Sequence, residues 1–206
     1  MTRHIFKEQT ALLNPIVDHL IDMTAAARTA FNRHSRASLA DLAHLKQTAI
    51  QEISLAARQV DELASKGAGE ERAAYYKLLS ILTHLNMIAE TFAGLSSPLE
   101  KKIKDAVLFS DKAVTQTNRL FDSAAGLLRT LLDILLTDND FLKKYAVDES
   151  RKLSHNCMVF ASEHEDRLIE GVCAPQAAPI FLAILDRMQI LGQHQMEIAR
   201  LLSHPV

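Results

Sequence analysis

"LSILTHLNMIAE", residues 79–90, and "QILGQHQMEIAR", residues 189–200, decide how this chain is read. Both place apolar residues at helical spacing, and both carry His-x-x-x-Ile-Ala. His84 and His194, Ile88 and Ile198, and Ala89 and Ala199 are separated by one common offset. Each copy lies near the end of a long helical stretch. Similar segments at a fixed offset are the mark of a tandem repeat.

The punctuation around these segments predicts six helices. The first opens at "NPIVD", with Asn14 as cap and Pro15 in the first turn, where its missing N–H is not needed. Ile16, Leu20, Met23 and Ala27 then recur at helical spacing. The second starts at "SLAD", where Ser38 and Asp41 have capping-box spacing, and stops at the glycines of "KGAG". The third runs from about Glu71 to Leu95. "SSPLE" marks the main boundary, with Ser97 as cap, Pro98 in the first turn and Glu100 three residues past the cap. A long fourth helix follows to about Leu136 and breaks at "TDND". The fifth runs to Gly171, and the sixth spans about Ala177 to Leu202. Short connections between such helices force antiparallel packing. The expected fold is all-α: two tandem antiparallel three-helix bundles, residues 10–96 and 97–204, joined near Ser96–Pro98.

Composition agrees. Of 206 residues, 48% are hydrophobic and 23% charged, enough for a packed core with an ordinary surface. Six Gly and five Pro leave little material for β-turns. A net charge of −2 supplies no global basic field for nucleic acid. No unbroken apolar run approaches the roughly 20 residues of a membrane span, and "MTRHIFKEQT" does not read as a secretory signal. The two cysteines, Cys157 and Cys173, read as reduced thiols of a cytoplasmic protein.

With its doubled motif and helix order, the chain resembles the PhoU family of phosphate-uptake regulators and the related cytoplasmic domains of sodium/phosphate cotransporters. In that family the third helix of each bundle ends in a motif close to Glu-Arg-Ile-Gly-Asp-His-Ala-x-x-Ile-Ala-Glu. Gly192, His194, Ile198 and Ala199 match it in the second copy, and Ile81, His84, Ile88, Ala89 and Glu90 in the first. The resemblance implies a regulator that docks on a membrane phosphate transporter or sensor kinase and does no chemistry. Metal-binding members carry carboxylates four residues apart in this motif. Here Gln189 and Gln193, and Leu79 and Thr83, stand at those positions. Neutral side chains are poor ligands for a hard cation, so no metal cluster is expected there.

Other groups are weighed against blander roles. Asp18 and Asp22 on the first helix, and Glu163, Asp166 and Glu170 on the fifth, keep acidic helical spacing and offer at most weak divalent or iron binding; otherwise they are solvated charge. His84 and His194 are either ligands or proton-sensitive contacts, or plain surface histidines. Arg28, Arg33, His34 and Arg36 form a basic tip suited to lipid headgroups or an acidic partner, or else a solvated turn, and the same two readings apply to Lys101, Lys102 and Lys104. Leu127, Leu128, Leu131, Leu132, Leu135 and Leu136 make a stripe that serves the core or a homo-oligomer contact. No phosphate loop, nucleophile elbow or His-Glu-x-x-His motif is present, so no cofactor is called for. The competing reading is a metal-binding helical bundle, for storage or carboxylate-site chemistry. It needs facing Glu-x-x-His pairs, and the sequence has none.

Overall fold

A computed structural model describes residues 2–204. Seven α-helices follow in order: α1 (Thr2–Arg33), α2 (Arg36–Lys66), α3 (Gly69–Gly94), α4 (Ser96–Lys104), α5 (Asp111–Thr137), α6 (Asp140–Ile169) and α7 (Ala178–Ser203). A single 3-10 turn, Pro175–Ala177, leads into α7. No strand occurs among the described residues. Helices α1–α3 form one three-helix bundle and α5–α7 the other, as expected, with α4 a short spur at the join.

The two bundles meet through equivalent helices, α1 against α5 and α3 against α7. Both pairs run antiparallel. The C-terminal part of α1 meets the N-terminal part of α5 through Arg28–Asn118 and Asn32–Asn118 hydrogen bonds. Gly94, ending α3, packs on Arg187 early in α7, whereas Lys77, early in α3, donates to the carbonyl of His204 after α7. This is the pattern of an approximate twofold axis relating the halves. The buried faces merge into one core, from Leu13, Ile16 and Leu20 on α1 to Ile184, Met188 and Leu191 on α7.

Several boundaries differ from the sequence reading. Helix α1 does not begin at Asn14; it passes straight through Pro15. Proline removes a helical hydrogen bond to the carbonyl four residues back. Ala11 and Pro15 both face solvent, so that carbonyl can be hydrated rather than buried unpaired, and the Pro15 carbonyl bonds His19 Nδ1 at 2.7 Å. The cap of α2 is Ser35 rather than Ser38. Its Oγ accepts from the Ser38 N–H at 3.1 Å, and His34 turns the chain at φ 51°. Ser97 caps nothing: only Leu95 interrupts the helix between α3 and α4. Leu95 and Leu99 are fully buried, so packing holds the chain helical across the supposed boundary. The long fourth helix is instead cut at 105–110, where Ala106 has φ 49° and Ser110 caps α5 by accepting from the Ala113 N–H. The break at "TDND" forms as expected, with Asp138 left-handed and Asn139 accepting from the Phe141 and Leu142 N–H groups. Together α3 and α4 (Gly69–Lys104) are long and apolar enough to cross a membrane by length and composition, but half of the apolar window is buried in the bundle.

Helices α6 and α7 approach closely at Gly192. A methyl group there would lie 2.6 Å from Leu153 Cδ2 and 2.9 Å from Ser154 Oγ. Gly126, inside α5, has open space around it. Two substitutions of the same kind should therefore act oppositely. Gly126→Ala should raise unfolding free energy by about 0.5–1 kcal/mol through helix propensity. Gly192→Ala should lower it by about 1–2 kcal/mol, because overpacking outweighs that gain. Urea unfolding monitored by circular dichroism measures both.

Candidate functional site: a histidine pair between the halves

The doubled histidines meet. His84 on α3 and His194 on α7 place their Nδ1 atoms 3.1 Å apart, with ring centroids at 5.4 Å and planes at 46°. The reason lies in the approximate twofold: at the crossing of two equivalent helices, a residue faces its own counterpart. Ile88, Ala89, Ile198 and Ala199, each about one turn further along its own helix, are buried. Both rings are half-buried. Burial, helped by the neighbouring His84, pushes His194 toward its neutral form, while Glu197 opposes this.

The other motif positions are separate from this pair. Glu90 bonds Lys46 on α2 at 2.8 Å. Thr83 donates to the carbonyl of Leu79 within its own helix, and Gln193 faces solvent while Gln189 is half-buried. Among the described residues, no three His, Cys, Asp or Glu side chains converge as a metal-binding group.

Asp18 and Asp22 are exposed. Asp22 lines an open cleft of about 430 Å³ between α1 and α2, together with Asp41 and His44. Glu163 is committed to cations and an amide: Lys112 Nζ and Gln116 Nε2 lie 2.8 and 2.7 Å away, and Arg167 3.7 Å. The Lys112 hydrogen bond, the largest influence, holds its carboxyl below the usual range. Asp166 and Glu170 are exposed near the end of α6.

The basic tip is smaller than the sequence suggested. Arg28 is not free at a turn; it bonds Asp122 at 2.6 Å and Asn118 at 2.9 Å, tying α1 to α5. Arg33, Arg36, Lys101 and Lys104 are exposed, but Lys102 is buried at 4% exposure. Its Nζ sits 2.9 Å from His34 Nε2 and about over the Phe31 ring, 5.0 Å from the centroid. Burial pushes its pKa down to about 8. Periodicity within "LEKKIK" would have shown that Lys102 shares the inward face with Leu99.

His164 was also missed. It is 1% exposed, its ring lies 4.7 Å from that of Phe181, and neither ring nitrogen has a partner. A histidine beside "SEHED" reads as surface, because its neighbours are polar; only its register with Phe160 and Cys157 places it inward. Burial, and secondarily Arg167, lower its pKa, with Glu165 opposing.

With the geometry in view, comparison places the fold. No family model matches the chain, and no curated protein does. Among solved structures, the chain is similar to the crystal structure of PhoU from Pseudomonas aeruginosa, with a TM-score of 0.81 over 97% of this chain and 96% of that one. Sequence identity is 12%, so the similarity establishes a PhoU-like fold.

Two pH-dependent outcomes follow from the buried bases. The unfolded chain protonates His164 near pH 6.5, whereas the folded chain resists until lower pH. Stability contributed by the neutral ring is present above that value and is lost as pH falls. His164→Phe should make the acid loss of stability shallower by up to about 1.4 kcal/mol per pH unit, measured by urea unfolding across that range. Lys102 has the complementary behaviour. At neutral pH its charge is buried without a carboxylate, so Lys102→Met should stabilise by about 1–3 kcal/mol. That gain should shrink as pH rises from about 8 toward 10.5, where the folded wild type sheds its proton before the unfolded chain does.

Proposed function

We propose that the chain is a PhoU-like cytoplasmic regulator of phosphate transport or phosphate signalling that acts by docking on a partner protein. The observation that carries this reading is the match along nearly the whole of both chains to a solved PhoU. The doubled His-x-x-x-Ile-Ala motif supports it from the sequence side. The partner chemistry expected is a membrane phosphate transporter or its sensor kinase, with the regulator acting by shape and charge rather than by catalysis.

A regulator of this kind works beside an anionic leaflet. The net charge of −2 gives no attraction as a whole, so local charge must do it. The end of α1, the start of α2 and the last turns of α4 supply exposed Arg33, Arg36, Lys101 and Lys104, and the segment after α4 adds Leu108 at 76% exposure. Each basic residue at such a surface contributes about 1 kcal/mol. The storage or carboxylate-enzyme reading has no comparable support, since its ligands would have to converge and Glu163 is already neutralised by Lys112.

Loss of the gene in its host should derepress phosphate uptake; unchanged uptake under phosphate-rich growth would sink the regulatory reading. At the membrane, Arg33→Gln with Arg36→Gln should weaken pelleting with anionic vesicles by about thirtyfold at low salt, with unfolding unchanged. Arg28→Gln should do the reverse, destabilising the α1–α5 contact while leaving vesicle binding intact.

A further inference from the structure

The histidine pair has a geometry that a surface contact does not require. The two Nδ1 atoms face each other across the seam at 3.1 Å. Without an ion this is one hydrogen bond, in which one ring carries the proton on Nδ1 and the other offers a lone pair. The same separation suits two nitrogens bound to one metal. With metal–imidazole bonds of about 2.0–2.1 Å, it corresponds to an N–metal–N angle of about 95–102°, between square and tetrahedral geometry.

We propose that His84 and His194 form a two-nitrogen binding site for a divalent transition ion of borderline softness, Zn²⁺, Ni²⁺ or Cu²⁺, that staples α3 of one half to α7 of the other. Imidazole nitrogen selects these ions over Mg²⁺ or Ca²⁺, which prefer oxygen. Both rings are half-buried rather than sealed, so an ion enters from solvent and water completes its coordination. Glu197, one turn from His194, supplies nearby negative charge while bonded to Arg200 at 2.5 Å. The equivalent position beside His84 is Met87, exposed at 45%. Binding needs no net loss of protons at neutral pH: the proton on the donating Nδ1 moves to Nε2 of the same ring, and both Nδ1 lone pairs then face the ion. The site is distinct from the carboxylate positions of the motif and does not depend on the regulatory reading.

The experiment is calorimetric titration of the metal-free chain with Zn²⁺ and Ni²⁺ at neutral pH, repeated with His84→Gln and His194→Gln. The expected result is one ion per chain in the wild type, and an affinity loss of at least about tenfold in each variant. The ion should also raise the melting temperature of the wild type alone, because it binds the folded chain. No saturable binding, or binding that either variant retains in full, overturns the proposal. It would then rest with the chain's other histidines or nowhere. Should a variant fail to fold, Cu²⁺ bound to the wild type decides the matter by pulsed electron paramagnetic resonance: two coordinated imidazoles uphold the site, and any other number overturns it.

Discussion

The antiparallel crossing of α3 with α7 is the constraint on which the rest of the molecule depends. Each three-helix bundle has its own interior, but α3 and α7 bury residues on more than one side. Leu78, Ile81, Leu82, Leu85, Ile88 and Ala89 are all within 2% of full burial, as are Ile180, Phe181, Ile184, Met188, Leu191, Ile198 and Ala199. A helix apolar over most of its circumference is stable in water only if neighbours cover all of it. Neither bundle can cover its own third helix, so the halves must meet. This also explains why α3 and α4 have the length and apolar content of a membrane span.

Polar groups near this apolar seam bridge one half to the other and helix to helix. Arg28 reaches across from α1 to Asp122 and Asn118 on α5, and Asn32 adds a second bond to Asn118. Gln195, fully buried, donates to the Ala124 carbonyl at 2.8 Å. The exposed Arg28–Asp122 pair contributes modestly to stability, whereas the buried Gln195 amide, left unpaired, would cost more than its bond gains. They therefore fix the register of one half on the other more than they drive association. Lys102 departs from this pattern. It has aromatic rings and a histidine around it but no carboxylate, and the chain carries the cost of that buried charge.

How far the sequence could be read depended on the range of the interaction involved. Helix ends set by local chemistry were legible at "KGAG", "TDND" and Gly171, where glycine, Asp138 and Asn139 act on their own backbone neighbours. Ends set by burial were not. Ser97–Pro98 has the residues of a helix start, yet Leu95 and Leu99 are packed and the chain stays helical. Ser110 caps α5 in the middle of what reads as one continuous apolar pattern, so its capping residue alone did not announce the break. Pro15 has the character of a first-turn residue, yet the helix carries it in its interior. Arg28 was assigned to the solvent because Asp122, its partner, is remote in sequence. The meeting of His84 with His194 was hinted at by the repeat alone; the repeat predicts equivalence, and only the twofold arrangement turns equivalence into contact.

The same geometry separates each histidine from the residues next to it in the repeated segment. Successive residues on a helix are rotated by about 100°. Thr83 and Gln193 each precede their histidine by one residue, so they point about a quarter turn away, and both are exposed. A change at Thr83 or Gln193 therefore alters an outer face and leaves the seam untouched. A change at His84 or His194 is different. It removes the hydrogen-bond partner of the equivalent residue in the other half, leaving a half-buried ring nitrogen unpaired, which costs free energy. The two faces of α3 and α7 are thus physically uncoupled, and each position of the motif is held or released by what it touches rather than by membership of the motif.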